Sequence, residues 1–345
     1  MMNDLQISEH KKQLLPKNMV KVVVVLILLL ALSIIASLVF GSRMIGMTGL
    51  MDGLLHPDVQ SHEANVVRQR IVRTIFCFMV GAALGVSGAL MQSVTRNPIA
   101  DPSILGVNTG ASLFVVCGIA FFNISSANEY IFLAIVGAIL TAIFVFGIGS
   151  MGTSGATPLK LVLAGAATSA ILSSLVTAVM IPRSNVMDQF RFWQVGSVGS
   201  GSWDSISLFI PFLVIGLLIA LFTAPALNAL ALGDEVATGL GVHTGTIRLF
   251  ASLGGVLLCG AATALAGPIG FIGLLATHLV RLVIGPDVRV LIPLSALTGG
   301  IVLMISDVCG RLLGSPGELQ VGILTAFVGA PILIYITMKA KVRSL

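Results

Sequence analysis

The chain has 345 residues, 56% of them hydrophobic and only 10% charged, with a formal net charge of +5 and a mean hydropathy of +1.05. That balance excludes an ordinary water-soluble domain, in which about a quarter of residues are charged, and calls for lipid as the solvent. In so apolar a chain the excess of cations reads as orientation in a bilayer, not as a nucleic-acid surface.

A membrane-spanning helix takes about 20 mainly apolar residues, so this length holds roughly ten and leaves no room for a large soluble domain. Residues 1–19 are polar and carry Lys11, Lys12 and Lys17; Lys21 then precedes an unbroken apolar run, Val22 to Phe40. The run is too long for a signal-peptide core and no Ala-x-Ala pattern follows it, so it reads as a first span behind a cytoplasmic basic segment. Hydropathy and the Gly, Pro and polar interruptions place spans near 20–41, 66–91, 103–122, 130–149, 159–181, 203–223, 247–266, 270–285, 290–310 and 319–338. The expected fold class is therefore all-α: a polytopic membrane protein of about ten transmembrane helices over 20–338, with a short tail at 339–345. Alternating from an inside start leaves twelve of the 19 Lys and Arg on cytoplasmic segments and seven outside, which puts both termini in the cytoplasm.

At the outer start of the second span Arg70 and Arg73 stand three apart, and at the outer end of the ninth Asp307 and Arg311 stand four apart. Arginines at helix ends often only snorkel toward headgroups. Clustered, they also suit bidentate capture of carboxylates on a docking partner. Between these ends runs GAALGVSGALMQSVTRNPIADPSILGV (81–107), matched by GVLLCGAATALAGPIGFIGLLAT (255–277). In each, a small-residue helix meets a Pro-containing break and resumes. The two units enter the membrane from opposite sides, so spans 2–5 and 7–10 read as an inverted repeat of the kind transport proteins use. Asp101 before Pro102 predicts a capped, clean start for the third span.

In the fifth span Gly165, Ser169, Ser173 and Thr177 recur every fourth residue. The stripe suits close helix packing with hydroxyls bonded across the interface, or a pathway-lining face. The connection from Ala224 to Arg248 is long, apolar and acidic in alternation, and bounded by Pro225 and the Gly239/Gly241 pair. It reads as a short surface helix that docks a soluble partner, or as an amphipathic linker on the membrane.

Enzymatic readings find no constellation. Cys77, Cys117, Cys259 and Cys309 lie in apolar stretches with no CxxC or His/Cys ligand spacing, the five histidines are scattered, and no metal site is expected. Met44, Met47 and Met51 form a short apolar surface helix in preference to a thioether copper site. A secondary transporter would carry ionisable groups near mid-membrane, whereas these spans are almost uncharged. No GxxxxGK[ST] phosphate loop is present, so the chain supplies no such ATPase site and no cofactor of its own.

The stretches RNPIADPSILGVNTGASL, AGPIGFIGLLATHLVRLVIGPDVRVLIP, ALGDEVATGLGV and GELQVGILTAFVGAPILIYI resemble the iron-siderophore and cobalamin ABC permeases, the FecCD-type family, over about residues 20–338. The resemblance implies ten helices per subunit and pairing with a second permease chain, as homodimer or heterodimer. It also implies a pair of ABC ATPase subunits that bind ATP and Mg, and an extracytoplasmic substrate-binding lipoprotein. By the same resemblance, glutamates of that binding protein would meet Arg70, Arg73 and Arg311. Leu232, Gly233, Asp234, Glu235, Ala237, Leu240 and Gly241 would belong to the segment that rests on the ATPase. Gly165, Ser169, Ser173 and Thr177 would lie on the pathway helix. Val72 stands where the family often has proline, which alters the expected loop geometry but not the charges. The implied cargo is a ferric siderophore, with haem and cobalamin as alternatives.

Overall fold

The computed structural model describes residues 2–41, 45–124, 126–152 and 157–339. Among these every regular element is helical: α1 (Met2–Val39), α2 (Met47–Leu55), α3 (His62–Thr95), α4 (Val107–Phe122), α5 (Ala127–Gly149), α6 (Pro158–Met180), α7 (Ser184–Gln194), α8 (Trp203–Leu230), α9 (Asp234–Gly239), α10 (Thr244–Ala266), α11 (Ile272–Ile284), α12 (Val288–Leu313) and α13 (Val321–Lys339), with a 3-10 turn at Pro102–Leu105. Seven helices, α1, α3, α5, α6, α8, α10 and α12, are long and apolar enough to cross a membrane, and α4, α11 and α13 are shorter apolar helices. Each apolar stretch read from the sequence falls on one of these ten. Residues 340–345, most of the expected tail, and Met44 lie outside the described residues; Met47 and Met51 are exposed on α2, the short surface helix.

Local chemistry sets the ends. Ser61 caps α3 by accepting from the Ala64 N–H at 3.1 Å, and Ser126 with Glu129 closes a reciprocal capping box on α5. Asp101 does cap, accepting from the Ser103 N–H at 3.0 Å, but what it starts is the 3-10 turn. Gly106, at φ +72°, then redirects the chain into α4. Pro225 is no boundary: α8 continues to Leu230, because Ala224, Leu227 and Leu230 are buried in the core and hold the last turns in place. The connection expected over about 224–246 is therefore shorter, from Ala231 to His243, around the single turn-and-a-half of α9.

α3 is the hub, packed on α12, α10, α11 and α8. Small residues let backbones touch. A Cβ at Gly81 would overlap the Gly299 carbonyl, one at Gly85 the Ser295 carbonyl, and one at Gly88 the Gly273 carbonyl. Without a hydrophobic drive between helices in lipid, such close approach is what holds them. α3 packs on α12 and α10 on α5, and α4 packs on α5 as α11 does on α12. α3 and α10 also meet, with Ser87 Oγ donating to the Gly255 carbonyl. α1 and α6 stand apart from this core. Only 11% and 17% of their apolar windows are buried, against 83% for α3, so their faces are left for lipid or a partner chain.

Candidate functional site

Three places carry the chemistry singled out by sequence. The first is the N-terminal end of α3. A spacing of three puts Arg70 and Arg73 on one helix face, and α12 ends beside them. Arg73 forks the buried Asp307, with Nη2 donating to Oδ1 at 2.7 Å and Nε lying 3.2 Å from both oxygens. Its remaining Nη1 donates to Glu318 Oε2 at 2.8 Å. Arg311 pairs with the other oxygen of Asp307 at 3.0 Å. It also donates to the carbonyls of Ser37 and Phe40 at 3.0 and 3.1 Å.

Arg70 Nη1 donates to the carbonyls of Leu38 and Val39, each at 2.9 Å. Arg70 and Arg311 thus satisfy the orphan carbonyls at the C-terminal end of α1 and complement its dipole. All three predicted arginines come together, more buried than snorkelling would leave them. They line a pocket of about 530 Å³ with Gln69, Trp203 and Glu318. The loop between α7 and α8 closes one side. Its Ser197 N–H donates to the Ala266 carbonyl at 2.6 Å, Gly196 accepts from the Gly322 N–H at 3.2 Å, and Gly199 lies beside the Arg73 guanidinium.

The second place is α9, at the other end of α3. Gly233 at φ +115° and Gly241 at φ +82° turn the chain into and out of it, conformations only glycine takes without strain. Asp234 accepts from Arg248 Nη2 at 2.8 Å and also from Arg96 Nη2. Burial alone would raise the Asp234 carboxyl; Arg248, and then Arg96, outweigh it and hold the carboxyl below its ordinary value. Within α9 only Ala237 is buried, and the Val242 N–H closes back on its carbonyl at 3.0 Å. Leu232, Glu235, Val236, Leu240 and Gly241 are exposed, so this short helix presents an apolar surface held in place by charge. Beside it Asn228 clamps α8 to α12, donating to Asp287 at 2.6 Å and accepting from the Val288 N–H at 2.9 Å.

The third place is the α6 stripe, which divides. Gly165 is buried, and Ser169 is half-buried, accepting from Thr109 Oγ1 at 3.3 Å beside Gly106. Ser173 and Thr177 are exposed, and Thr177 donates to the Ser173 carbonyl within the helix. A step of four advances about 40° around a helix of 3.6 residues per turn. Thr177 therefore lies about 120° round from Gly165, and one apparent stripe becomes an interface end and an open end.

Sequence reasoning singled out none of Glu318, Asn228, Asp287 and Arg96 as a site residue. Each pairs with a residue 59 or more positions away, so no local periodicity marks it. The one available signal was composition: single charges in Gly- and Pro-rich breaks of an otherwise uncharged chain.

A profile of the FecCD transport family matches residues 28–339, nearly the whole chain. The chain belongs to the FecCD transport family. The ferric enterobactin transport system permease protein FepD of Escherichia coli (strain K12) is 39% identical over 316 residues, covering 91% of this chain and 94% of that relative. The iron(3+)-hydroxamate import system permease protein FhuB of Bacillus subtilis (strain 168) is 38% identical, covering 91% of this chain and 82% of the relative. A solved structure of a metal-chelate type ABC transporter in an inward-facing conformation superposes with a TM-score of 0.79 at 27% identity, over 92% of this chain and 99% of that one. With its apolar helices, this FecCD-family chain is a multi-pass permease of the cytoplasmic membrane.

Proposed function

We propose that the chain is the permease subunit of an ABC importer that carries a ferric siderophore into the cell. In this reading all ten apolar helices cross the bilayer, both termini are cytoplasmic, and a second permease chain completes the pathway against the open face of α6. An extracytoplasmic binding protein delivers cargo at the Arg70, Arg73 and Arg311 pocket. A pair of ATPase subunits, which hold ATP and Mg, engage Leu232 to Val242. The observation that carries it is that one helix bears both places: Arg73 and Arg96 are 23 residues apart on or at the end of α3, about 35 Å at 1.5 Å per residue, enough to cross a hydrocarbon core of about 30 Å. Docking at one end and ATP-driven movement at the other then act on the same rigid element. The small, hydroxyl-bearing and nearly uncharged helices suit passage of a bulky chelate without tight binding, leaving selectivity to the delivery protein. Relatives named for enterobactin, hydroxamate and citrate complexes support iron chelates as the cargo.

The test is ATP-dependent uptake of radiolabelled iron, as ferric siderophores, into proteoliposomes holding the chain, its ATPase and binding protein. Uptake that needs ATP and is competed by unlabelled ferric siderophore is the expected result. Uptake of cobalamin or haem instead would keep the importer and replace the cargo, and uptake driven by an ion gradient without ATP would overturn both.

A further inference from the structure

The arginine pocket holds its two carboxylates in unequal ways. Asp307 takes the full fork of Arg73 and also Arg311, and its side chain is 4% exposed. Glu318 takes a single N–H of Arg73 and its side chain is 42% exposed. Bidentate, buried charge pairs are fixed; a one-bond pair open to water is weak, of the order that solvent and salt readily exchange. The backbone beneath Glu318 is nonetheless fixed, because the Leu319 N–H donates to the Gly310 carbonyl at 3.1 Å. Gly314 is packed so closely on Glu318 and Leu319 that a Cβ there would overlap the Leu319 nitrogen. The loop therefore delivers this carboxylate to one guanidinium N–H at the pocket lining and leaves its other face in solvent.

Charge points the same way. Arg70, Arg73 and Arg311 against Asp307 and Glu318 leave the pocket at +1, and without Glu318 at +2. An incoming carboxylate on Arg73 Nη1 would have to take the place Glu318 occupies. We propose that Glu318 is an internal stand-in for the docking partner's carboxylate, holding Arg73 until that carboxylate displaces it. This deepens, and rests on, the reading of the pocket as the binding-protein site. It makes Glu318 a specificity residue: partners that bring one well-placed carboxylate exchange with it, and neutral or basic surfaces do not.

The experiment uses the full chain in nanodiscs and a fluorescein-labelled hexaglutamate peptide as probe, with hexaglutamine as control, followed by fluorescence polarisation at fixed low salt. Glu318→Gln, which keeps the shape and removes the charge, is expected to tighten hexaglutamate binding about two- to fivefold. Glu318→Ala should do the same, and adding Arg73→Gln to either should cancel the gain. Unchanged or weaker binding in both Glu318 variants, while Arg73→Gln still weakens binding to the native chain, overturns the stand-in and keeps the docking site. If Arg73→Gln and Arg311→Gln leave hexaglutamate binding unaltered, or the peptide binds no better than hexaglutamine to every variant, the docking site fails and the stand-in with it. Thermal unfolding of each variant separates these outcomes from loss of fold.

Discussion

The two ends of α3 use the same chemistry in opposite settings. At the N-terminal end one carboxylate, Asp307, joins Arg73 and Arg311 with its side chain 4% exposed; at the C-terminal end one carboxylate, Asp234, joins Arg248 and Arg96 with its side chain 47% exposed. Burial decides what each is for. A buried triad tolerates no missing member, because the charges left behind have no water to turn to. In the other triad the carboxylate meets water but Arg248 is buried, so the Arg96 contact is the weak, exchangeable one and the Arg248 contact the fixed one.

The largest expected effect tests the buried end. Asp307→Asn takes the shared buried charge from two guanidinium groups, leaving Arg73 only Glu318 and Arg311 only the end of α1, and should cost about 3–5 kcal/mol, read as a lowered thermal midpoint in detergent. A midpoint within a degree of the native chain would mean that this triad is not structural. Arg311→Lys keeps the charge but lacks the fork, and so gives up bonds to Asp307, Ser37 and Phe40 together. It should lose about 1–3 kcal/mol and raise hydrogen exchange at residues 37–40, with residues 232–242 unaltered.

At the C-terminal end of α3 Asp234→Asn takes the charge facing buried Arg248 but leaves a side open to water, and should cost about 1–3 kcal/mol, less than Asp307→Asn. On the proposed function it should nevertheless raise exchange in 232–242 and lower the uptake obtained per ATP hydrolysed. A large stability loss there would erase the contrast between the ends. The same carboxylate predicts a pH dependence. Its folded pKa lies below the unfolded value, so the folded state binds fewer protons at this site, and the stabilisation is whole above the unfolded value of about 4 and lost as pH falls through the lowered folded one. Hydrogen exchange of 232–242 should therefore rise on acidification below about pH 4, and Asp234→Asn should flatten that rise. Smallest of all, Ser173→Ala should change stability by less than about 0.5 kcal/mol, whereas Ser169→Ala, which removes one of the two acceptors of the Thr109 hydroxyl and leaves the Gly106 carbonyl, should cost about 0.5–1 kcal/mol.

Much of this was legible from residues alone. The ten apolar helices were visible because lipid demands a length and a hydropathy that few other structures share. The arginine cluster was visible because charge is scarce here, so Arg70, Arg73 and Arg311 stood out against their background. What stayed hidden depended on three-dimensional neighbours. Pro225 looked like an end because the burial of Leu227 and Leu230 cannot be read from a proline. The α6 stripe looked uniform because a four-residue period drifts around a 3.6-residue helix. Glu318 and Asn228 were silent because each answers to a distant residue, Arg73 in one case and Asp287 in the other.

The glycine contacts along α3 have a mechanical consequence. Where Gly81, Gly85 and Gly88 meet Gly299, Ser295 and Gly273, backbone already rests on backbone, and no side chain is left to compress, rotate or repack. A joint without slack transmits displacement and does not absorb it. α3, α11 and α12 therefore form one rigid block, and relative motion within the chain falls to its loosely packed rim, α1 and α6.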